Sequence, residues 1–300
     1  MGVGCWAWGD EKYWRYGQDH GQDDIVDAYA ACLERGLDLF DTAEVYGWGK
    51  SEQLVGALAR RSPRPVVVAT KYAPLSGRGG AAAIPAALDK SLRRLGLPHI
   101  DLYQLHWADR DEAPIAAVMD VLADALQAGK IRAVGVSNFR AGEMRLAHAA
   151  LQRRGVPLAV NQVHYSLLHR APEVDGVLDA CRELGVALLA YSPLEQGLLT
   201  GKYAPDTLPP EPRANAVWFA PDNVAAAQPL IAMLRTMGEA HGVGPAAVAL
   251  AWLLAKADVV PLAGAKTRQQ AEANASALSV ALSDGEIAAL DTLSAPWRTA

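Results

Sequence analysis

Apolar residues along this chain fall into short runs, each broken by a polar loop and most followed by a longer stretch of helical spacing. Runs rich in Val, Leu, Ile and Ala at 3–5, 37–40, 66–70, 100–105, 131–136, 158–161, 186–190 and 259–263 predict eight strands. Amphipathic segments predict helices at 23–35, 81–95, 114–128, 143–152 and 172–184, with another N-capped by Ser51. Gly36 marks the end of the first helix. Seven of the eight strands are followed by at least one helical segment.

Such alternation specifies parallel strands joined by helical crossovers. Strands that are apolar at nearly every position suit a sheet buried on both faces. Eight such units in 300 residues predict one α/β domain, a (β/α)8 TIM barrel over 1–300. The alternative is a doubly wound sheet, which usually carries a Gly-rich turn directly after its first strand. Here Gly2 and Gly4 lie before or inside that strand, and the glycines of 76–80 lack the required spacing.

Barrel enzymes gather their functional groups at the C-terminal ends of the strands. Polar residues stand there from the second strand to the eighth: Asp41 and Tyr46, Lys71, His106, Ser137 and Asn138, Gln162, Ser192, and Lys266. Carboxylate, phenol, amine and imidazole delivered by three successive strands make a proton-transfer constellation. An aromatic loop (Trp6, Trp8, Tyr13, Trp14, Tyr16) follows the first strand and is expected mainly to pack onto the fold. Trp6, nearest the strand end, and Trp107 are candidate walls of a substrate pocket, which loops 72–80, 108–113 and 202–220 are expected to shape.

Composition narrows the class. Hydrophobic residues make up 51% of the chain, net charge is −5, and no Lys/Arg run occurs, so nothing points to nucleic acid or an anionic membrane. Three scattered cysteines suit a reducing compartment better than a disulfide frame. No C-x-x-C or H-x-H spacing suggests zinc. Without a leader-like segment or an apolar run long enough for a bilayer, a cytoplasmic monomer or weak oligomer is expected.

Seven segments in order resemble the aldo-keto reductase family over nearly the whole chain: DTAEVYG (41–47), ATK (69–71), QLHW (104–107), GVSNF (135–139), VNQVHYS (160–166), AYSPLEQGLLTGKY (190–203) and GAKTRQQAEAN (264–274). The aromatic opening also resembles a plant and bacterial subgroup with pyridoxal-reductase-like members. The resemblance implies an NADPH/NADP+-dependent reductase that turns a small aldehyde or ketone into an alcohol. It places Asp41, Tyr46, Lys71 and His106 in a catalytic tetrad. Ser137, Asn138 and Gln162 match residues that hold the nicotinamide carboxamide, and Tyr191 matches the aromatic under its ring. Ser192, Leu194, Gly197 and Leu199 match a pyrophosphate-facing loop. Gly264, Lys266, Gln270 and Asn274 match the segment around the 2′-phosphate and adenine. Three departures stand out. The chain starts almost at the first strand, where members usually begin with a hairpin. Ala273 replaces a common Glu beside the adenine site, implying weaker adenine contacts, and Ala263 replaces a common Pro.

Carbonyl reduction needs a hydride at carbon and a proton at oxygen. Tyr46 is the expected acid, but a free phenol has a pKa of about 10. A neighbouring Lys71 ammonium is expected to lower it, with Asp41 keeping that lysine charged and His106 hydrogen-bonding the substrate oxygen. Thr267-Arg268-Gln269-Gln270 reads as a T-x-x-Q capping box, whose helix N-terminus suits a phosphate. Lys266 and Arg268 add charge there, although Arg268 reads equally well as a solvated surface group. Two other readings stay open: an NADPH-binding regulatory or sensor protein with low turnover, and a Schiff-base lyase using Lys71.

Overall fold

The computed structural model describes residues 1–78, 80–109 and 113–299. Gly79 and Arg110–Glu112, which belong to two of the expected pocket loops, lie outside the described residues. The strands are β1 (Gly2–Gly4), β2 (Leu39–Asp41), β3 (Val67–Tyr72), β4 (Ile100–Leu105), β5 (Ile131–Ser137), β6 (Leu158–His164), β7 (Ala187–Tyr191) and β8 (Val259–Gly264). They close in sequence order into a barrel in which every neighbouring pair is parallel. The expected (β/α)8 architecture is therefore present.

Between the strands run α1 (Gln22–Glu34), α2 (Lys50–Arg60), α3 (Ile84–Leu95), α4 (Ile115–Gln127), α5 (Ala141–Gln152), α6 (Val177–Leu184), and the pair α7 (Pro221–His241) and α8 (Pro245–Leu254). After β8 come α9 (Arg268–Ala275) and α10 (Asp284–Leu293), so every strand, not seven of eight, has a helix behind it. Two cap expectations need correction. Ser51 does not cap α2; it is buried, and its hydroxyl accepts from Thr42 Oγ1 at 2.7 Å and donates to the Cys5 carbonyl at 2.8 Å. It thereby ties the ends of β1 and β2 together. Thr267 does cap α9 through Gln270 N at 3.3 Å, but Gln270 Oε1 turns back to Lys266 N (2.9 Å), not to Thr267.

Strand alternation builds the barrel interior. Leu39, Ala69, Leu102, Ala133, Val160, Leu189 and Leu262 pack together as an apolar plug. Side chains two residues further along a strand face the same way, which brings Asp41, Lys71, Gln104, Gly135, Gln162, Tyr191 and Gly264 into the layer above. Gly135 is needed there. A Cβ at that position would sit 2.6 Å from Val160 Cγ2 and 2.9 Å from Gln104 Cγ, so only glycine lets those side chains close over the plug. The polar layer thus rests on a dry floor. The three cysteines are separate buried thiols. Among the described residues, no helix is long and apolar enough to cross a membrane.

Candidate active site

A cavity of 930 Å³ opens at the C-terminal ends of the strands. Asp41, Tyr46 and His106 line it, with Lys71 directly beneath. Lys71 is fully buried; its ammonium donates to Asp41 Oδ1, to the Thr42 carbonyl (2.9 Å) and toward the Tyr46 hydroxyl (3.5 Å). Asp41 Oδ2 accepts from Gln104 Nε2 at 2.9 Å and Gln162 Nε2 at 3.0 Å, and Gln162 Nε2 also reaches Gln104 Oε1. The carboxylate therefore has a partner on each oxygen, which is what a buried charge requires.

Burial works against the charged form of Lys71, yet Asp41 and Tyr46 outweigh it and hold the ammonium above its ordinary value. For Tyr46 the balance is the reverse of the sequence expectation. Burial, the largest influence, raises the phenol, and the opposing pull of Lys71 does not overcome it. Burial first, and the Lys71 charge second, lower His106 to about 3, so its imidazole is neutral at ordinary pH. Its ring meets that of Tyr46 edge-on at 5.8 Å, and its buried Nδ1 has no partner among the described residues.

Above this floor the expected residues gather on one wall. Ser137 Oγ donates to the Gln162 carbonyl at 2.8 Å. Asn138, at φ +58°, donates to the His106 carbonyl at 3.0 Å and accepts from the Tyr191 hydroxyl at 3.0 Å. Ser192, Leu194 and Gly197 line the cavity, whereas Leu199 is buried outside its lining. Gly264, Lys266, Gln270 and Asn274 line its far end, where Asn274 Nδ2 donates to the Gly264 carbonyl at 3.1 Å. Ala263 and Ala273, the two departures, line it too. Arg268 is not part of the lining. Its guanidinium is spent on both Glu34 oxygens (2.8 and 3.1 Å) and on Glu272 (3.3 Å).

Trp6 and Trp107 both line the cavity. Trp6 stacks on Tyr13 at 4.9 Å and lies 6.0 Å from the Tyr46 ring, while Trp107 Nε1 donates to the Pro74 carbonyl at 3.3 Å. Of the loops expected to shape the pocket, 202–220 contributes Lys202, Arg213 and Trp218; no described residue of 72–80 or 108–113 reaches the lining.

Several lining groups escaped the sequence reading. Lys202 and Arg213 converge on Lys266: the charges of Arg213 and Lys266 lie 5.0 and 5.5 Å from the Trp14 ring centroid. Burial, then Arg213 and Lys202, lower the Lys266 ammonium to about 8. Three cations lining one part of the cavity favour an anion there. Lys202 ends the LTGK segment, a signal available in the sequence; the approach of Arg213 was not. His164 in the lining and Gln104 beneath it, bonded to Asp41, were missed as well, and both lie on the inward parity of their strands.

A family model described as the aldo/keto reductase family matches residues 1–295. The chain belongs to that family and is an oxidoreductase dependent on a nicotinamide cofactor. It is 36% identical over 298 residues to the chloroplastic pyridoxal reductase of Arabidopsis thaliana, covering 95% of this chain and 80% of that one. It is 34% identical over 308 residues to the NADH-specific methylglyoxal reductase of Escherichia coli, covering 95% and 91%. An aldo-keto reductase from Klebsiella pneumoniae solved with NADPH superposes with a TM-score of 0.75 at 30% identity, covering 97% of this chain and 89% of that one.

Proposed function

We infer that this protein reduces a small aldehyde or ketone with NADPH, using Tyr46 as the acid. The observation that carries this reading is the buried Asp41–Lys71 pair directed at the Tyr46 hydroxyl on the floor of the cavity. The residues present fit the cofactor: an orphaned His106 nitrogen, a polar wall at Ser137, Asn138 and Gln162, and three cations at the far end suit a planar amide and a phosphate. When bound, the nicotinamide supplies the hydride. Everything else falls to the protein. Lys71 holds positive charge beside the phenol and favours proton loss in the reaction; neutral His106 offers a hydrogen bond to the carbonyl oxygen. Asp41 keeps Lys71 charged and aimed. Ser137, Asn138 and Gln162 orient the carboxamide, Tyr191 backs the ring, and Lys266, Gln270 and Asn274 hold the adenosine end. NADPH oxidation over a panel of a nitrobenzaldehyde, a short dicarbonyl and pyridoxal tests the reading; binding without turnover on any of them favours the sensor alternative.

NADPH over NADH is the proposed preference, because the two differ by one 2′-phosphate and the Lys266 cluster is a phosphate receptor. Losing a charge-assisted contact weakens affinity roughly ten- to a hundredfold. Lys266→Ala is expected to raise the NADPH dissociation constant by that factor and leave NADH little changed; equal weakening of both would remove the assignment. The pH dependence follows in sign. Phosphate binding favours the ammonium, and free Lys266 loses its proton near 8. NADPH affinity is therefore expected to be constant between about 6, below which the phosphate takes up its second proton, and about 8, and to fall by up to about tenfold per pH unit above it, with NADH flat. Fluorescence titration across that range measures both.

Trp6 lines the cavity tilted beside the Tyr46 ring, so a flat aromatic substrate gains from it. Trp6→Ala is expected to raise KM for aromatic aldehydes roughly two- to tenfold and for methylglyoxal less. Equal shifts would mean that Trp6 only packs the loop.

A further inference from the structure

Behind Tyr191 stand two imidazoles in line. His164 lies parallel to Tyr191 at 5.3 Å and 14°, and His169 stacks on His164 at 3.9 Å and 7°. Trp218 closes the edge at 5.3 Å. This arrangement fixes the Tyr191 ring plane from behind, and it follows from register, because His164 pairs with Tyr191 across β6 and β7.

The same His164 makes a second contact. Its Nε2 lies 2.8 Å from Glu195 Oε1, an oxygen that also accepts from Ser166 Oγ. Glu195 is 1% exposed, and its other oxygen is buried without a partner among the described residues. A carboxylate so placed is costly unless its few partners are kept. The backbone around it is strained: Ser192, Glu195 and Gln196 adopt φ of +50°, +45° and +50°, a region that side chains disfavour. Such a loop persists only when its surroundings hold it. Glu195 reaches down to His164 and Ser166, while its neighbour Gln196 reaches across the cavity to the Tyr13 hydroxyl at 2.6 Å.

We propose that His164 and Glu195 are a positioning pair that couples the wall at Tyr191 to the loop 192–200. Through its ring His164 sets the plane of Tyr191; through its N–H it pins Glu195 and so the loop. One residue thereby governs both the nicotinamide orientation and the rate at which cofactor leaves. The coupling to cofactor rests on the proposed function, in which Tyr191 backs the nicotinamide and the loop faces the pyrophosphate. The pin itself belongs to the free protein.

The two jobs separate by substitution. His164→Phe keeps a ring and removes the N–H, His164→Gln keeps an N–H and removes the ring, and Glu195→Gln keeps the shape and removes the charge. In the cofactor-free protein, hydrogen exchange at the amides of Glu195, Gly197 and Leu199, which close turns within the loop, reads the pin. Exchange is expected to quicken roughly ten- to a hundredfold in His164→Phe and Glu195→Gln, and to stay within a few-fold of wild type in His164→Gln. NADPH dissociation, followed by stopped-flow fluorescence, is expected to show the same order. The single-turnover hydride rate at saturating NADPH should do the opposite, falling in His164→Gln and holding in His164→Phe. A residue that merely packs the fold would move the melting temperature and all these rates together, and that result overturns the proposal. So does unchanged loop exchange in Glu195→Gln, the arm that decides if His164→Phe does not fold. A wild-type chain that fails to bind NADPH removes the function reading and the coupling with it, while the exchange arm still decides the pin.

Discussion

Tyr46→Phe is expected to lower carbonyl turnover by roughly 10²–10⁴-fold while leaving NADPH affinity within a few-fold. The substitution removes one oxygen and keeps the ring that sits 6.0 Å from Trp6 and 5.8 Å from His106, so the cavity keeps its shape. What is lost is the hydroxyl next to Lys71, the proposed proton donor. Steady-state turnover and fluorescence titration of NADPH read the two halves separately. Near-normal turnover would remove the acid role from Tyr46. Protonation of His106 requires pH near 3, so no acidic limb from that residue is expected in the neutral range in either protein.

Lys71→Met is expected to remove most activity and to lower stability by about 3–5 kcal/mol, the cost of leaving a buried partner charge uncompensated. That charge is Asp41, which would retain only Gln104 and Gln162. The sign of the pH effect is fixed by the same contacts. In the wild type Lys71 draws the phenol down against the larger effect of burial, so without it the alkaline limb of the pH–rate profile should move to higher pH. The Lys71 ammonium, raised above 10.5, keeps its stabilising contribution through the neutral range and loses it as pH rises from about 10.5 through its folded value. Asp41→Asn should be milder, because Lys71 keeps the Thr42 carbonyl. Urea titration and pH–rate profiles of the two variants check the order; a more damaging Asp41→Asn would reverse the roles.

Much of this site was legible because strand alternation does the placing. Leu39 to Asp41, Ala69 to Lys71 and Val160 to Gln162 are each a step of two from the apolar plug to the polar layer, and periodicity reveals such steps. Gln104 and His164 obey the same rule. Read as parts of the QLHW and VNQVHYS runs, they drew less attention than the residues beside them, although one braces Asp41 and the other lies behind Tyr191. What the pattern did not reveal comes from loops. No periodicity tells where Arg213 or Tyr13 will turn, or that Gln196 will cross the cavity to meet Tyr13. Ser51 shows the limit at a helix start: a serine there resembles a cap, but the space beside Cys5 and Thr42 claimed its hydroxyl. Burial also changed the sign of the Tyr46 shift, since spacing identifies a charged neighbour but not the loss of solvent.

The central claim is hydride transfer from NADPH to a carbonyl carbon on this chain. The most direct test uses NADPH deuterated at the transferable position of the nicotinamide, an aromatic aldehyde, and mass spectrometry of the product. The expected result is alcohol formed in equal amount to the NADPH consumed, with deuterium on the carbinol carbon. Tight NADPH binding with no alcohol, or alcohol without deuterium, would contradict it.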